Sequence, residues 1–159
     1  MAHLLFRSAA VALCLALAAC VTTSTVHQPL APASATGTYG VSFASGTGDD
    51  ADGIARLERV ILLRMHEAGV LAPPDAKAPR AEITITHYSL RGDAARLIAG
   101  ILAGRDRIAS QVRVIDPDGR ESGHFDVETT NLTAMGSREG LMERHADEII
   151  ARLRAGTDP

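Results

Sequence analysis

The chain has 159 residues, 46% of them hydrophobic, and a net charge of −3. That length suits one domain with one core. With no tryptophan, 3% aromatic residues and no basic excess, it lacks the clustered Lys and Arg that neutralise phosphates, so nucleic acid is excluded as a partner.

Residues 1–7 carry His3 and Arg7, and residues 8–19 are almost entirely Ala, Val and Leu. A basic flank, an apolar run of about 7–15 residues and a small-residue cut site define a secretory signal. The run is too short to span a bilayer, which takes about 20 residues. Leu17-Ala18-Ala19-Cys20 has the form of a lipobox. An uncleaved anchor, or an ordinary signal that leaves Cys20 as a free thiol, fits less well, because Leu17 stands three residues before a cysteine at the cut position. Cys20 is therefore the expected lipidation site, and stable anchoring takes two or more acyl chains. Val21 stands where an Asp commonly retains a Gram-negative lipoprotein in the inner membrane, so the expected location is the outer membrane, facing the periplasm. Cleavage removes Arg7 and Cys14, which takes the net charge from −3 to −4 and leaves Cys20 as the only cysteine. No disulfide can then form within the mature body.

Residues 20–38 are rich in Thr, Ser, Ala and Pro. They are expected to form a flexible tether, in which His27 has no role. The body follows as a single domain over residues 39–155. Tyr39, Val41 and Phe43 alternate as in a short strand. The Gly/Asp-rich residues 45–52 suit a turn and a helix N-terminus. Asp49, Asp50 and Asp52 resemble part of a calcium loop but lack its Glu. Ile54, Leu57, Ile61, Met65 and Ala68 recur at helical spacing, which predicts an amphipathic helix over 51–68. Gly69 is placed to end it, and Pro73-Pro74 blocks its continuation. Residues 81–90 alternate as a strand, with Ala81, Ile83, Ile85 and His87 on one face and Glu82, Thr84, Thr86 and Tyr88 on the other. Strand, helix and strand in that order suit a crossover between parallel strands.

Residues 91–104 are the least ordinary stretch. Positions 94–103 are apolar apart from Arg96, with Gly100 and Gly104 four apart. The segment is too short to cross a membrane. It reads either as a buried connector or as an exposed apolar element that meets a partner or the membrane surface. In the second reading Arg96, Leu97, Ile98, Ile101 and Leu102 are the candidate interface.

Residues 107–116 and 124–131 alternate around the Asp116-Pro117-Asp118-Gly119 turn, which predicts an antiparallel hairpin with one polar face. A last helix is expected over 138–154. Leu141, Met142, His145, Ala146, Ile149, Ile150 and Leu153 would lie inward, and His145 would be packed against the apolar face. The expected fold class is α+β, a two-layer sandwich. A small mixed sheet of about four strands carries two helices on one face, in the order β-α-β-β-β-α.

The run GDAARLIAGILAG (residues 92–104), the strand RIASQVRVID (107–116) and the turn that follows it resemble an uncharacterised bacterial lipoprotein family, defined as a domain of unknown function (the one numbered forty-four ten). The resemblance covers residues 39–153 and is most distinctive at Arg96, Leu97, Gly100 and Gly104. It implies a lipid-anchored, periplasm-facing α+β domain and supplies no catalytic residues. The chain departs from the family at the charged Arg105-Asp106-Arg107. It departs again after the last strand, where the glycines are reduced to Gly136 and Gly140.

No GxSxG, HExxH, CxxC or P-loop pattern occurs, so no catalytic residues are assigned and no enzyme activity is expected. His87 and His124 lie on strands that could be neighbours, and Asp126 is two residues from His124. Isolated strand histidines are mostly solvated or hydrogen-bonded, so no metal and no cofactor are assigned. The expected function is a non-enzymatic envelope lipoprotein, an interaction or assembly module held at the membrane through Cys20 that binds an envelope protein or its own copies. The alternatives are an accessory subunit with an apolar or lipid ligand in a cavity lined by residues such as Ile61, Met65, Ile85 and Ile149, and an undetected hydrolase.

Overall fold

The computed structural model describes residues 20–31, 37–45, 50–90, 105–131 and 137–155. In chain order the elements are β1 (Cys20–Gln28), β2 (Gly40–Ser45), α1 (Ala51–Glu67), β3 (Arg80–Ser89), β4 (Asp106–Ile115), β5 (Glu121–Asn131) and α2 (Arg138–Ala155). The five strands form one sheet in the order β1-β5-β4-β3-β2. The β2–β3 pair is parallel and the other pairs are antiparallel. The fold is α+β, as the sequence pattern predicts, with five strands where about four are expected.

The fifth strand corrects the tether reading. Cys20–Gln28 pairs along β5, from Cys20 opposite Asn131 to Gln28 opposite His124. The contact continues past the strand end. The Ala31 amide donates to the Ser122 carbonyl at 2.7 Å, and Leu30 lies so close over Gly123 that a Cβ there would stand 2.6 Å from its side chain. Thr and Val are β-branched and fit a pleated, half-buried surface. The same composition that suggests a solvated linker therefore serves as an edge strand once β5 offers it a partner.

Both helices cover one face of the sheet. Ile54, Leu57, Ile61 and Met65 of α1 and Leu141, Met142, Ile149 and Leu153 of α2 are buried with Ile83, Ile85, Ile108, Val112, Phe125 and Val127 of the strands. The Asp50 side chain caps α1 by accepting from the Gly53 amide at 2.8 Å. Gly53 itself abuts Tyr88, and a Cβ there would sit 2.5 Å from that ring. Gly69, at φ 69°, ends the helix in the left-handed region as its position predicts. Arg64 of α1 donates to Asp147 of α2 at 2.7 Å, which ties the two helices together. Gly119 has φ 85° and its amide donates to the Asp116 carbonyl at 2.9 Å, closing the β4–β5 hairpin.

Residues near the end of β3 face differently from the simple alternation. Ile85 lies opposite Ser110 and His87 opposite Ala109, so Thr86 is an extra residue in the ladder. This bulge shifts the alternation by one. Tyr88 then turns into the core, 7% exposed, and donates to the Met142 sulfur at 3.9 Å. His87 does not join the face of Ile83 and Ile85.

Candidate functional site

The described residues place histidines on both faces of the β4–β5 pair. On the helix-covered face, His145 of α2 is fully buried. Its Nε2 lies 2.8 Å from the Ser110 hydroxyl and its Nδ1 lies 3.0 Å from the Thr129 hydroxyl. Burial penalises the imidazolium and pushes its pKa down to about 3. A neutral ring offers one donor and one acceptor, and a hydroxyl can meet either. His145 is thus packed against the apolar face, as expected, with both nitrogens partnered.

The opposite face of the sheet is polar. Arg107 of β4 donates to Glu128 of β5 at 2.8 Å. A shallow trough of about 270 Å³ runs beside this pair, lined by Thr23, Thr25, Arg107, Gln111, Asp126 and Glu128. Asp126, which lines it, also converges with His27 and His124, one donor atom from each lying within 4.8 Å of the others. The His27 Nε2 is 2.8 Å from Asp126 Oδ2. The His124 Nε2 is 3.9 Å from Asp126 Oδ1, and among the described residues neither of these two buried atoms has a hydrogen-bond partner. The two imidazole rings stand 4.9 Å apart at 49°.

The backbone explains why these three meet. His124 and Asp126 are two apart on β5 and so share a face. In β1 the register jumps between Val26, opposite Phe125, and Gln28, opposite His124. His27 is the extra residue of a β-bulge, a device that re-aims a side chain at a sheet edge. Around the cluster, His124 Nδ1 lies 3.7 Å from Glu121 Oε1. Arg113 Nε donates to Glu121 Oε2 at 2.6 Å, and Gln28 Nε2 donates to the Glu121 carbonyl at 3.3 Å.

The histidine pair suggested by the sequence, His87 with His124, is not formed, because β4 lies between β3 and β5. His124 and Asp126 do lie together, and the third member is His27, which the tether reading left without a role. The signal that could have found it is the β-branched run Val21-Thr22-Thr23 to Thr25-Val26, a strand composition. Asp50 acts as a helix cap, the reading preferred over a calcium loop; Asp49 lies outside the described residues. The candidate interface residues Arg96, Leu97, Ile98, Ile101 and Leu102 also lie outside them.

Cys20, a free cysteine, opens β1 and is half-buried against the core. It lies opposite Asn131, and Asn131 lies opposite Asp106. Ser89, the last residue of β3, pairs with Arg107 at the same end of the sheet.

No protein-family model matches the chain, and no curated protein matches it. Solved structures do. The fold is similar to that of PelC. A PelC dodecamer from Paraburkholderia phytofirmans superposes with a TM-score of 0.54 at 12% identity, over 85% of this chain and 97% of that one. A leucine-to-methionine variant of the same dodecamer gives 0.57 at 11% identity over the same shares. At such identity the likeness concerns the fold.

Proposed function

We propose that this chain is an envelope lipoprotein, cut before Cys20, lipidated there and held at the outer membrane facing the periplasm. Its body is a non-enzymatic interaction or assembly module. The observation that carries this reading is that Cys20 itself lies in the sheet, as the first residue of β1. A tether over residues 21–38 could extend up to ~60 Å. A strand that starts at the lipidated residue holds the body against the bilayer instead.

Two further features support a role in assembly. Residues 91–104, which contain the candidate interface, connect Ser89 and Asp106, and both lie at the Cys20 end of the sheet. The described strand ends that flank Leu97, Ile98, Ile101 and Leu102 in the sequence thus lie at the end of the sheet where Cys20 stands. In addition, β1 is one of the two outer strands of the described sheet and exposes Val21 and Val26, a form of edge that readily pairs with another chain. PelC, of similar fold, is a dodecamer, which favours self-association. The resemblance to the lipoprotein family fits the same reading. The apolar-ligand alternative gains no support, since Ile61, Met65, Ile85 and Ile149 are packed within the core.

Labelling with radioactive palmitate tests the anchor. The natural chain is expected to take up label and fractionate with the outer membrane, and Cys20→Ser is expected to do neither. Label retained by Cys20→Ser would refute the anchor. Crosslinking in intact cells tests the module. A chain that crosslinks neither to itself nor to an envelope protein would refute the interaction reading.

A further inference from the structure

We propose that His27, His124 and Asp126 bind a late first-row divalent cation, with Zn²⁺ the best fit, and that the ion clips the edge strand β1 to β5.

The distances suit such an ion. Zinc binds imidazole nitrogen at about 2.0–2.1 Å and carboxylate oxygen at about 2.0–2.2 Å, which puts neighbouring tetrahedral ligands about 3.3 Å apart. The Asp126 carboxylate approaches His27 Nε2 through Oδ2 at 2.8 Å and His124 Nε2 through Oδ1 at 3.9 Å, and one donor atom from each of the three residues lies within 4.8 Å of the others. Small rotations of three side chains would even out these distances.

The two orphan atoms point the same way. His124 Nε2 and Asp126 Oδ1 are buried and, among the described residues, without a hydrogen-bond partner, a condition that costs free energy and calls for an explanation. A simple ion pair between His27 and Asp126 uses Nε2 and Oδ2, and the ion-pair approach of His124 Nε2 to Asp126 Oδ1, at 3.9 Å, is too long to be a hydrogen bond. A cation among the three groups takes both orphan atoms as ligands.

The surroundings are also those of a metal-binding histidine, whose second ring nitrogen usually faces a carboxylate. His124 Nδ1 faces Glu121, and Arg113 fixes Glu121 from its other oxygen. Two of the three ligands stand on the inner strand β5, and the bulge aims the third at them.

The donor set selects the class of ion. Two imidazoles and one carboxylate suit zinc and its late first-row neighbours, whereas calcium and magnesium favour all-oxygen shells. His27 and Asp126 have side chains 45% exposed, so the remaining coordination position opens to solvent and takes water. Nothing in this site depends on where the protein is anchored.

Calorimetry on the full mature protein, purified in detergent and stripped with chelator, tests the proposal. Titration with Zn²⁺ is expected to show about one strong equivalent. His27→Gln, His124→Gln and Asp126→Asn are each expected to weaken it at least tenfold, and His87→Gln to leave it unchanged. Cobalt is expected to give the absorption of a tetrahedral ion in the natural chain and to lose it in His27→Gln. Circular dichroism without metal verifies that each variant is folded, and His27→Gln, on the exposed edge, carries the test if a β5 variant is not. The absence of a strong equivalent in the natural chain would overturn the site. So would natural affinity in folded His27→Gln, or an equal loss in His87→Gln.

Discussion

The two faces of the β4–β5 pair hold histidines in two different environments, and the contrast separates a structural imidazole from one able to bind a ligand. On the helix side, His145 meets a hydroxyl at each nitrogen and no solvent. Its hydrogen-bonding capacity is filled and burial keeps it neutral. On the open side, His124 has a buried nitrogen with no hydrogen-bond partner among the described residues, 3.9 Å from a carboxylate oxygen in the same condition. One face has completed its polar contacts within the chain. The other has left a set of donors that a cation completes.

The largest expected effect lies on the covered face. His145→Ala removes a buried ring and strands the Ser110 and Thr129 hydroxyls, so it should cost about 3–5 kcal/mol in urea denaturation. A loss below 1 kcal/mol would erase the distinction between the two faces. Next comes the open face with metal. At about 100 times its Kd, Zn²⁺ should stabilise the natural chain by about 2.7 kcal/mol and leave Asp126→Asn unaffected, as read from the shift in denaturation midpoint.

Acid should then act mainly on the covered face. The folded pKa of His145, about 3, lies below the ordinary 6.5, so the unfolded chain takes up the proton first. The stabilisation is complete above pH 6.5 and is lost as pH falls from 6.5 towards 3, by at most about 1.4 kcal/mol per pH unit. Between pH 6.5 and 5, above the carboxylate range, His145→Gln should flatten that slope. An unchanged slope would assign it to other groups. The smallest effect belongs to His27→Ala without metal. It loses one exposed ion pair and should shift stability by at most about 1 kcal/mol.

The contrast also explains which parts of the molecule were legible in sequence. The covered face imposes a 3.6-residue period on α1 and α2 and a two-residue period on the strands, so Leu57, Ile61, Ile149 and His145 declare their burial. The hairpin turn and the Gly69 helix end follow from local backbone chemistry. Two features escaped. The bulge at Thr86 exchanges the faces of His87 and Tyr88, and no local pattern marks it. Strand β1 looks like a linker because its partner β5 lies about a hundred residues away in the chain, and an edge strand has no alternation strong enough to identify it alone.

Sequence by itself determined the α+β class, the hairpin, both helices and the inward place of His145, because each depends on side-chain periodicity or on turn residues close together in the chain. Only the tertiary structure decided that Cys20–Gln28 belongs to the sheet and that His27 joins His124 and Asp126. Both depend on the pairing of β1 with β5, a long-range choice made by backbone hydrogen bonds, which every residue but proline can make and which leave little trace in composition.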